Sequence, residues 1–315
     1  MKKLLVLFIL FFISCSKENI SGPTFKLIVL DSKGGNVTFG NPNDGRFKEG
    51  TQITITAVPD DDYFFIGWTD GSRDNPLILT LDTDTEIAPK FLNKQDLITR
   101  FLEIVVVGQG ANGGPIPPPY SRKWKEEIKI FLDGNPSDLF KSELELFLEE
   151  LNNVLDNNTF SAIQVNDKPS SNVHMVFTES DKMKDSYPTL FGNINIESYT
   201  GYVRKNSDSN GNIFEGVVFM NALRLLYGTA YTVSSGIPLK TRIIWIIRHE
   251  LGHILGFKHT TDKTSIMYPN LIYGQNEIYS DLDKEVLRFL YDERIPSGLD
   301  AEESRKILEN ILGVN

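Results

Sequence analysis

The sequence predicts an α+β protein in two parts, a small all-β module followed by a larger mixed domain. Three observations carry that prediction. Before residue 93, short segments alternate polar and apolar residues as half-buried strands do. Beyond residue 119, strand-like runs are interleaved with apolar residues at helical spacing. Between the two lies Gly108–Pro119 (GQGANGGPIPPP), richer in Gly and Pro than any other part of the chain. It reads as a linker that stiffens at its proline end. A chain of 315 residues has room for about two domains, each with its own core.

The chain begins Met-Lys-Lys and continues with a nearly unbroken apolar run from Leu4 to Ile13. That is the pattern of a secretion signal, and the run is too short to span a membrane. It ends at Ser14-Cys15, which resembles a bacterial lipoprotein cleavage site, and Cys15 is the only cysteine. The resemblance implies export, removal of residues 1–14, lipid on the Cys15 thiol, and attachment at the outer membrane or cell surface. Residues 15–23 then form an anchor and tether. Without later cysteines, nothing past the anchor forms a disulfide. Loss of Lys2 and Lys3 moves the formal net charge from −10 to −12. That acidity argues against nucleic acid as a partner.

Residues 24–93 form the β module. Thr51–Val58 alternates polar and apolar residues, Leu77–Leu81 does the same, and Phe64–Trp68 is an aromatic-rich strand. Gly34-Gly35, Asp44-Gly45 and Asp70-Gly71 supply turns. The order Gly35-Asn36-Val37-Thr38, Glu49-Gly50-Thr51, Gly67-Trp68, Ala88-Pro89-Lys90-Phe91 resembles the divergent internalin-type B-repeat of bacterial surface proteins. In that family the module is a spacer or adhesive domain, with the cluster around Trp68 as its core.

Residues 94–118 are assigned as a linker, within which Lys94–Val107 reads as either a short helix or a strand. In the second domain, 119–293, Trp124–Leu132 is a strand ended by Asp133-Gly134-Asn135-Pro136. Ser137–Leu155 is an amphipathic helix burying Leu139, Leu144, Phe147, Leu148, Leu151 and Leu155. Val173–Phe177, Gly201–Arg204 and Phe214–Met220 are further strands. Asp208, Asn210 and Asn212 alternate like calcium ligands. Ile213, however, stands where Gly is required and no Glu closes the loop, so a polar hairpin loop is the stronger reading.

From Pro238 to Phe257 the residues Ile243, Ile244, Ile246, Ile247, Leu251, Ile254 and Leu255 make a broad stripe at helical spacing. On that helix begins His249-Glu250-Leu251-Gly252-His253-Ile254-Leu255-Gly256-Phe257-Lys258-His259. Positions four apart share a helix face, so His249 and His253 aim at one point. Gly256 can take the left-handed conformation that ends the helix, bringing His259 back as a third ligand. Three imidazoles leave the fourth position of one catalytic Zn2+ open for water, and Glu250 is the adjacent general base. The chain has four histidines in all, and three of them occupy this motif.

HExxHxxGxxH, followed by Ser265-Ile266-Met267-Tyr268-Pro269, resembles the metzincin clan of zinc peptidases, in the Met-x-Pro form of its matrixin branch. The resemblance implies a mixed twisted sheet with an active-site helix, a methionine turn with Met267 under the metal, and a closing helix. Ser280-Asp281-Leu282-Asp283 opens that last helix with a capping-box pattern. It implies further that the strand before the active-site helix is the sheet edge, so that Gly216–Asn221 would bind a polypeptide substrate by edge hydrogen bonds. Asn270–Tyr279 is the candidate wall of the specificity pocket. Only His174 is left over, too little for the second zinc of matrixins, and it reads as a strand residue. Residues 294–315 form a helical tail, with Leu299–Leu312 either packed on the protease domain or free.

The sequence thus points to a lipid-anchored zinc endopeptidase. Two other readings stay open: a surface-binding lipoprotein with a degenerate zinc domain, and a zinc hydrolase of a non-peptide amide. The oligomeric state is not legible.

Overall fold

A computed structural model describes residues 22–40, 45–109, 119–155, 160–228 and 236–314. Cys15, the apolar leader, Asp44 and residues 110–118 of the linker lie outside the described residues. The chain divides into two compact units, Met1–Phe91 and Leu92–Asn315.

The first unit is built from strands β1 (Thr24–Val29), β2 (Gly35–Phe39), β3 (Arg46–Lys48), β4 (Thr51–Pro59), β5 (Tyr63–Trp68), β6 (Leu77–Leu81), β7 (Thr85–Ile87) and β8 (Pro89–Asn93). They pair as β3-β1-β7, β2-β4-β6 and β5-β8. The period-two pattern of β4 sends Ile53, Ile55 and Ala57 inward and leaves Gln52 and Thr54 in solvent. Trp68 is buried in the same core as Leu77, Leu81, Ile87 and Phe91. Its indole N–H donates to the Asp74 carbonyl at 2.9 Å, which satisfies the polar end of the ring. Trp68 is therefore a packing residue.

The second unit carries a sheet in the order β11 (Ala162–Val165), β10 (Ile128–Gly134), β12 (Val173–Thr178), β14 (Asn212–Asn221), β13 (Gly201–Ser207); the short β9 (Lys123–Trp124) pairs with the start of β14. Every pairing is parallel except β13 with β14. The predicted strand Trp124–Leu132 is thus two strands, interrupted by the charged run Lys125-Glu126-Glu127. In α2 (Asp138–Leu155), Leu144, Phe147, Leu148, Leu151 and Leu155 are buried as expected, while at its start Phe140 turns fully inward and Leu139 only partly. Short helices α3 (Ser180–Ser186), α4 (Pro188–Phe191) and α5 (Ala222–Tyr227) flank the sheet, and α6 (Leu239–Leu255) carries the histidine motif.

The structure corrects two readings. Gly216–Asn221 is not a sheet edge: Val173 to Thr178 pair with it on one side, and Gly201 to Lys205, with Asn206, pair with β14 on the other. The edge on that side of the sheet is β13, one strand earlier. A pattern of apolar residues reports burial, and strand order in space is set by pairing across the chain.

Residues 94–107 are not linker. Asn93 accepts hydrogen bonds from the Gln95 and Asp96 N–H groups and caps α1 (Lys94–Phe101), which continues into a π-helical turn, Leu102–Val107. Leu97, Ile98, Phe101, Ile104, Val105 and Val106 are fully buried. The run is apolar because it is core.

Of the two readings left open for the C-terminal segment, the structure takes the packed one. After α7 (Asp281–Leu290), α8 (Ala301–Leu312) starts with an Asp300–Glu303 capping box, buries Leu308, and packs on α1 and the π-helical turn. Among the described residues no helix is long and apolar enough to cross a membrane.

Candidate metal centre

His249 and His253 lie one turn apart on α6. The helix ends at Gly256 with φ 117° and ψ −8°, a left-handed residue whose Cβ would strike the Arg122 carbonyl. Phe257 N–H closes the turn onto the Gly252 carbonyl at 2.9 Å. Further bonds pin the helix from outside: Trp124 Nε1 donates to the Ile254 carbonyl at 2.8 Å, Tyr291 Oη to Leu255 at 3.0 Å, and Tyr279 Oη to Arg248 at 3.0 Å. The chain then reverses and brings His259 back.

The three imidazoles converge. Nε2 of His259 lies 3.2 Å from Nε2 of His249 and 3.1 Å from Nε2 of His253. Nδ1 of His249 donates to the Ile266 carbonyl at 2.7 Å, and Nδ1 of His253 to the Phe257 carbonyl at 3.0 Å. These bonds choose the tautomer, so both Nε2 atoms present bare lone pairs to the centre. One proton on His259 could bridge to one neighbour, and the remaining pair would still repel. A cation relieves all three contacts. Tetrahedral bonds of about 2.0–2.1 Å place neighbouring nitrogens roughly 3.3–3.4 Å apart, close to the spacing found. The residues therefore fit a metal ion, and the three ligand atoms form the one such group among the described residues.

Burial favours the neutral ligands a metal needs. It pushes His249 down to about 3 and His259 to about 4, with the neighbouring His259 adding to the effect on His249. His253 is driven well down by burial and by both other imidazoles. Burial alone raises Glu250 to about 8. Its carboxylate packs against Gly201 of edge strand β13, where a Cβ would lie 2.4 Å from Oε1. An adjacent cation would favour the ionised carboxylate.

Met267 is fully buried beneath the helix, and a Cβ on Gly252 would come within 2.6 Å of its Sδ. The turn also works through its backbone. The Ile266 carbonyl orients His249, while the Met267 carbonyl accepts the Thr260 N–H at 3.2 Å, one residue from His259.

Several contributors were not singled out by sequence reasoning. Asp283, read only as part of a capping box, uses that box and more. Besides Ser280, its carboxylate accepts from Ser265 Oγ at 2.8 Å and the Ile266 N–H at 3.3 Å, so the methionine turn hangs on it. Arg100, from the presumed linker, donates to Asp283 at 2.9 Å and also to Asp262. The one available signal was a guanidinium on the apolar stripe of Leu97, Phe101 and Ile104, which requires an internal counter-charge. Lys205 of β13 donates to the His253 carbonyl, and burial, with Arg122 and Lys258 nearby, pulls it down to about 7.

The remaining candidates stand apart. His174 on β12 bonds Tyr187 Oη at 3.2 Å and lines a separate cavity of about 550 Å³ with Asp133, Lys168 and Lys182. Asp208 spends its carboxylate on its own hairpin loop, accepting from the Asn210 and Asn212 N–H groups and from Asn212 Nδ2 at 2.6–2.9 Å. That is the polar turn, with its oxygens committed to the loop.

A mixed α+β domain with a partly buried three-histidine centre, preceded by a small β module, is the class this fold and site define. The chain belongs to the family described as a protein of unknown function (DUF2927), whose model matches residues 94–310. The first unit matches the divergent InlB B-repeat domain over residues 25–94. Among solved structures, "Crystal structure of myroilysin" is similar at 14% identity and a TM-score of 0.33, covering 64% of this chain and 97% of that one. No curated protein matches.

Proposed function

We propose that this chain is a zinc-dependent endopeptidase of the metzincin type, matrixin-like in its methionine turn. The observation that carries the reading is the pairing of three converging Nε2 atoms with a buried carboxylate, Glu250, on the residue next to the first ligand. His249, His253 and His259 would hold Zn2+, which when bound supplies Lewis acidity toward a carbonyl and acidifies its water. Glu250 accepts the proton of the attacking water at its carboxylate and passes it to the nitrogen of the leaving amine. Met267 packs beneath the imidazoles and moves no proton.

An extended polypeptide is the substrate this reading requires, lying along β13. That strand is bonded to β14 on one side and, among the described residues, to no strand on the other. Gly201 at its start touches Glu250, so backbone held there is delivered to the base. Tyr273 and Ile278, largely exposed in the segment after the methionine turn, are the side chains offered to the specificity pocket. The test is cleavage of a mixed protein substrate. Hydrolysis is expected to stop on addition of a zinc chelator and to return with Zn2+; cleavage that persists in the chelated protein refutes the reading.

The same proposal places the enzyme outside the cytoplasm, anchored by lipid on Cys15. A diacylated cysteine binds membranes lastingly where one chain binds marginally. Cys15→Ser is expected to leave the membrane fraction or to remain unprocessed, with zinc chemistry unchanged. A variant still fractionating with detergent-soluble lipoproteins rules the lipid anchor out and leaves the peptidase untouched.

A further inference from the structure

The third ligand, His259, sits on a loop without secondary structure, and almost every residue of that loop is tied to one short segment far away in sequence. Lys258 N–H donates to the Ile104 carbonyl at 2.6 Å, and its ammonium donates to the Val106 carbonyl. Gln109 N–H donates to the carbonyl of His259 itself at 2.9 Å. Glu103 Oε1 accepts from the Thr261 N–H at 3.1 Å. Arg100 reaches Asp262, whose other carboxylate oxygen accepts from the Thr264 N–H and Oγ1, both at 2.8 Å. The exception, Thr260, bonds Met267. Residues 100–109 therefore form a strap along the ligand loop.

Arg100 links that loop to the methionine turn as well. Its guanidinium is 6% exposed and donates through Nη1 to Asp283, which is fully buried and holds Ser265 and Ile266. Ile266 in turn orients His249. A planar guanidinium can engage two carboxylates at once, which an ammonium does poorly. One side chain thus ties the loop of the third ligand to the turn behind the first.

We propose that Arg100 is a positioning residue for the metal, acting through Asp262 and Asp283, and that the segment 94–109 is a working part of the centre. The inference rests on the three histidines holding a metal. The helix places the backbones of His249 and His253 whether or not the strap is present, while the ring of His249 is turned by the Ile266 carbonyl behind it. His259 otherwise has only its loop, whose ordering costs conformational entropy at every residue. Losing the strap therefore lowers metal affinity and distorts the coordination geometry. It does so without touching a ligand.

The test uses the full-length chain and two metals, Zn2+ and Co2+, with dissociation constants from competition against a chromophoric chelator and the visible spectrum of the Co2+ form. Arg100→Ala is expected to weaken binding by about tenfold or more, the scale of one charged hydrogen bond, and to reduce the intense absorption of four-coordinate Co2+. Arg100→Lys should recover part of both. Arg294→Ala, which breaks an exposed pair with Asp292, should match the wild type. Because Arg100→Ala leaves the buried Asp283 carboxylate without its counter-charge, at a risk to folding, Glu103→Ala supplies a second reading; it removes only the Thr261 contact and should weaken binding several-fold. Wild-type affinity and spectrum in a folded Arg100→Ala, or in Glu103→Ala where Arg100→Ala does not fold, overturn the proposal alone. A wild-type chain that binds neither metal overturns both this inference and the proposed function.

Discussion

Glu250→Gln is expected to leave a folded, metal-loaded protein in which peptide hydrolysis falls by roughly 10²–10⁴-fold, the usual contribution of a general base. Glutamine keeps the shape that packs against Gly201 and cannot take a proton. Turnover within a few-fold of wild type would remove Glu250 from the mechanism. The same variant has a second expected signature in the metal-free protein. Burial raises Glu250 from 4.5 in the unfolded chain to about 8 in the fold. Its stabilising contribution is thus fully present below pH 4.5 and is lost as pH rises to about 8. Chelated Glu250→Gln should match the chelated wild type near pH 4 and be the more stable of the two at pH 8, by on the order of a few kcal/mol. Thermal midpoints at the two pH values measure the difference. A residue held at a cost to stability is the mark of a working site.

His253→Ala is expected to abolish both activity and metal uptake. It removes one of the two helix ligands and leaves two imidazoles, which hold a catalytic ion poorly. Metal stabilises the folded chain by about 4 kcal/mol when free ion is a thousandfold above the dissociation constant. The wild-type melting temperature should therefore rise on adding Zn2+, while that of His253→Ala should not. Acid should mimic the substitution in the wild type. His249 stays neutral in the fold down to about 3 and His259 to about 4, and His253 is held well below its usual value, whereas the unfolded chain protonates these imidazoles near 6.5. Metal-free stability is accordingly lost as pH falls below 6.5. A Zn2+-dependent rise in His253→Ala comparable to wild type would show that the metal lies elsewhere.

How far the sequence can be read depends on how far apart the cooperating residues are. The ligand triad is a local object. Helical spacing aligns His249 with His253, and Gly256 supplies the left-handed turn that returns His259, so eleven consecutive residues specify the convergence. The capping box at Ser280 and the period-two strands of the β module are local in the same sense. Lys94–Val107 was ambiguous because its apolar run suits a buried helix and a buried strand alike. Only the cap at Asn93 and the partners of its buried face decide.

What the sequence determined by itself was chemistry and short-range geometry: three imidazoles facing one point, a carboxylate beside them, and a methionine following at close range. The tertiary structure alone decided which strand is the sheet edge, that Gly201 meets Glu250, and that Arg100 clasps an aspartate 183 residues away. The physical reason is that helix and turn geometry follow from bonded neighbours and steric limits, which a sequence carries explicitly. Strand order and buried ion pairs follow from which distant surfaces exclude water together, and a list of residues in chain order does not contain that.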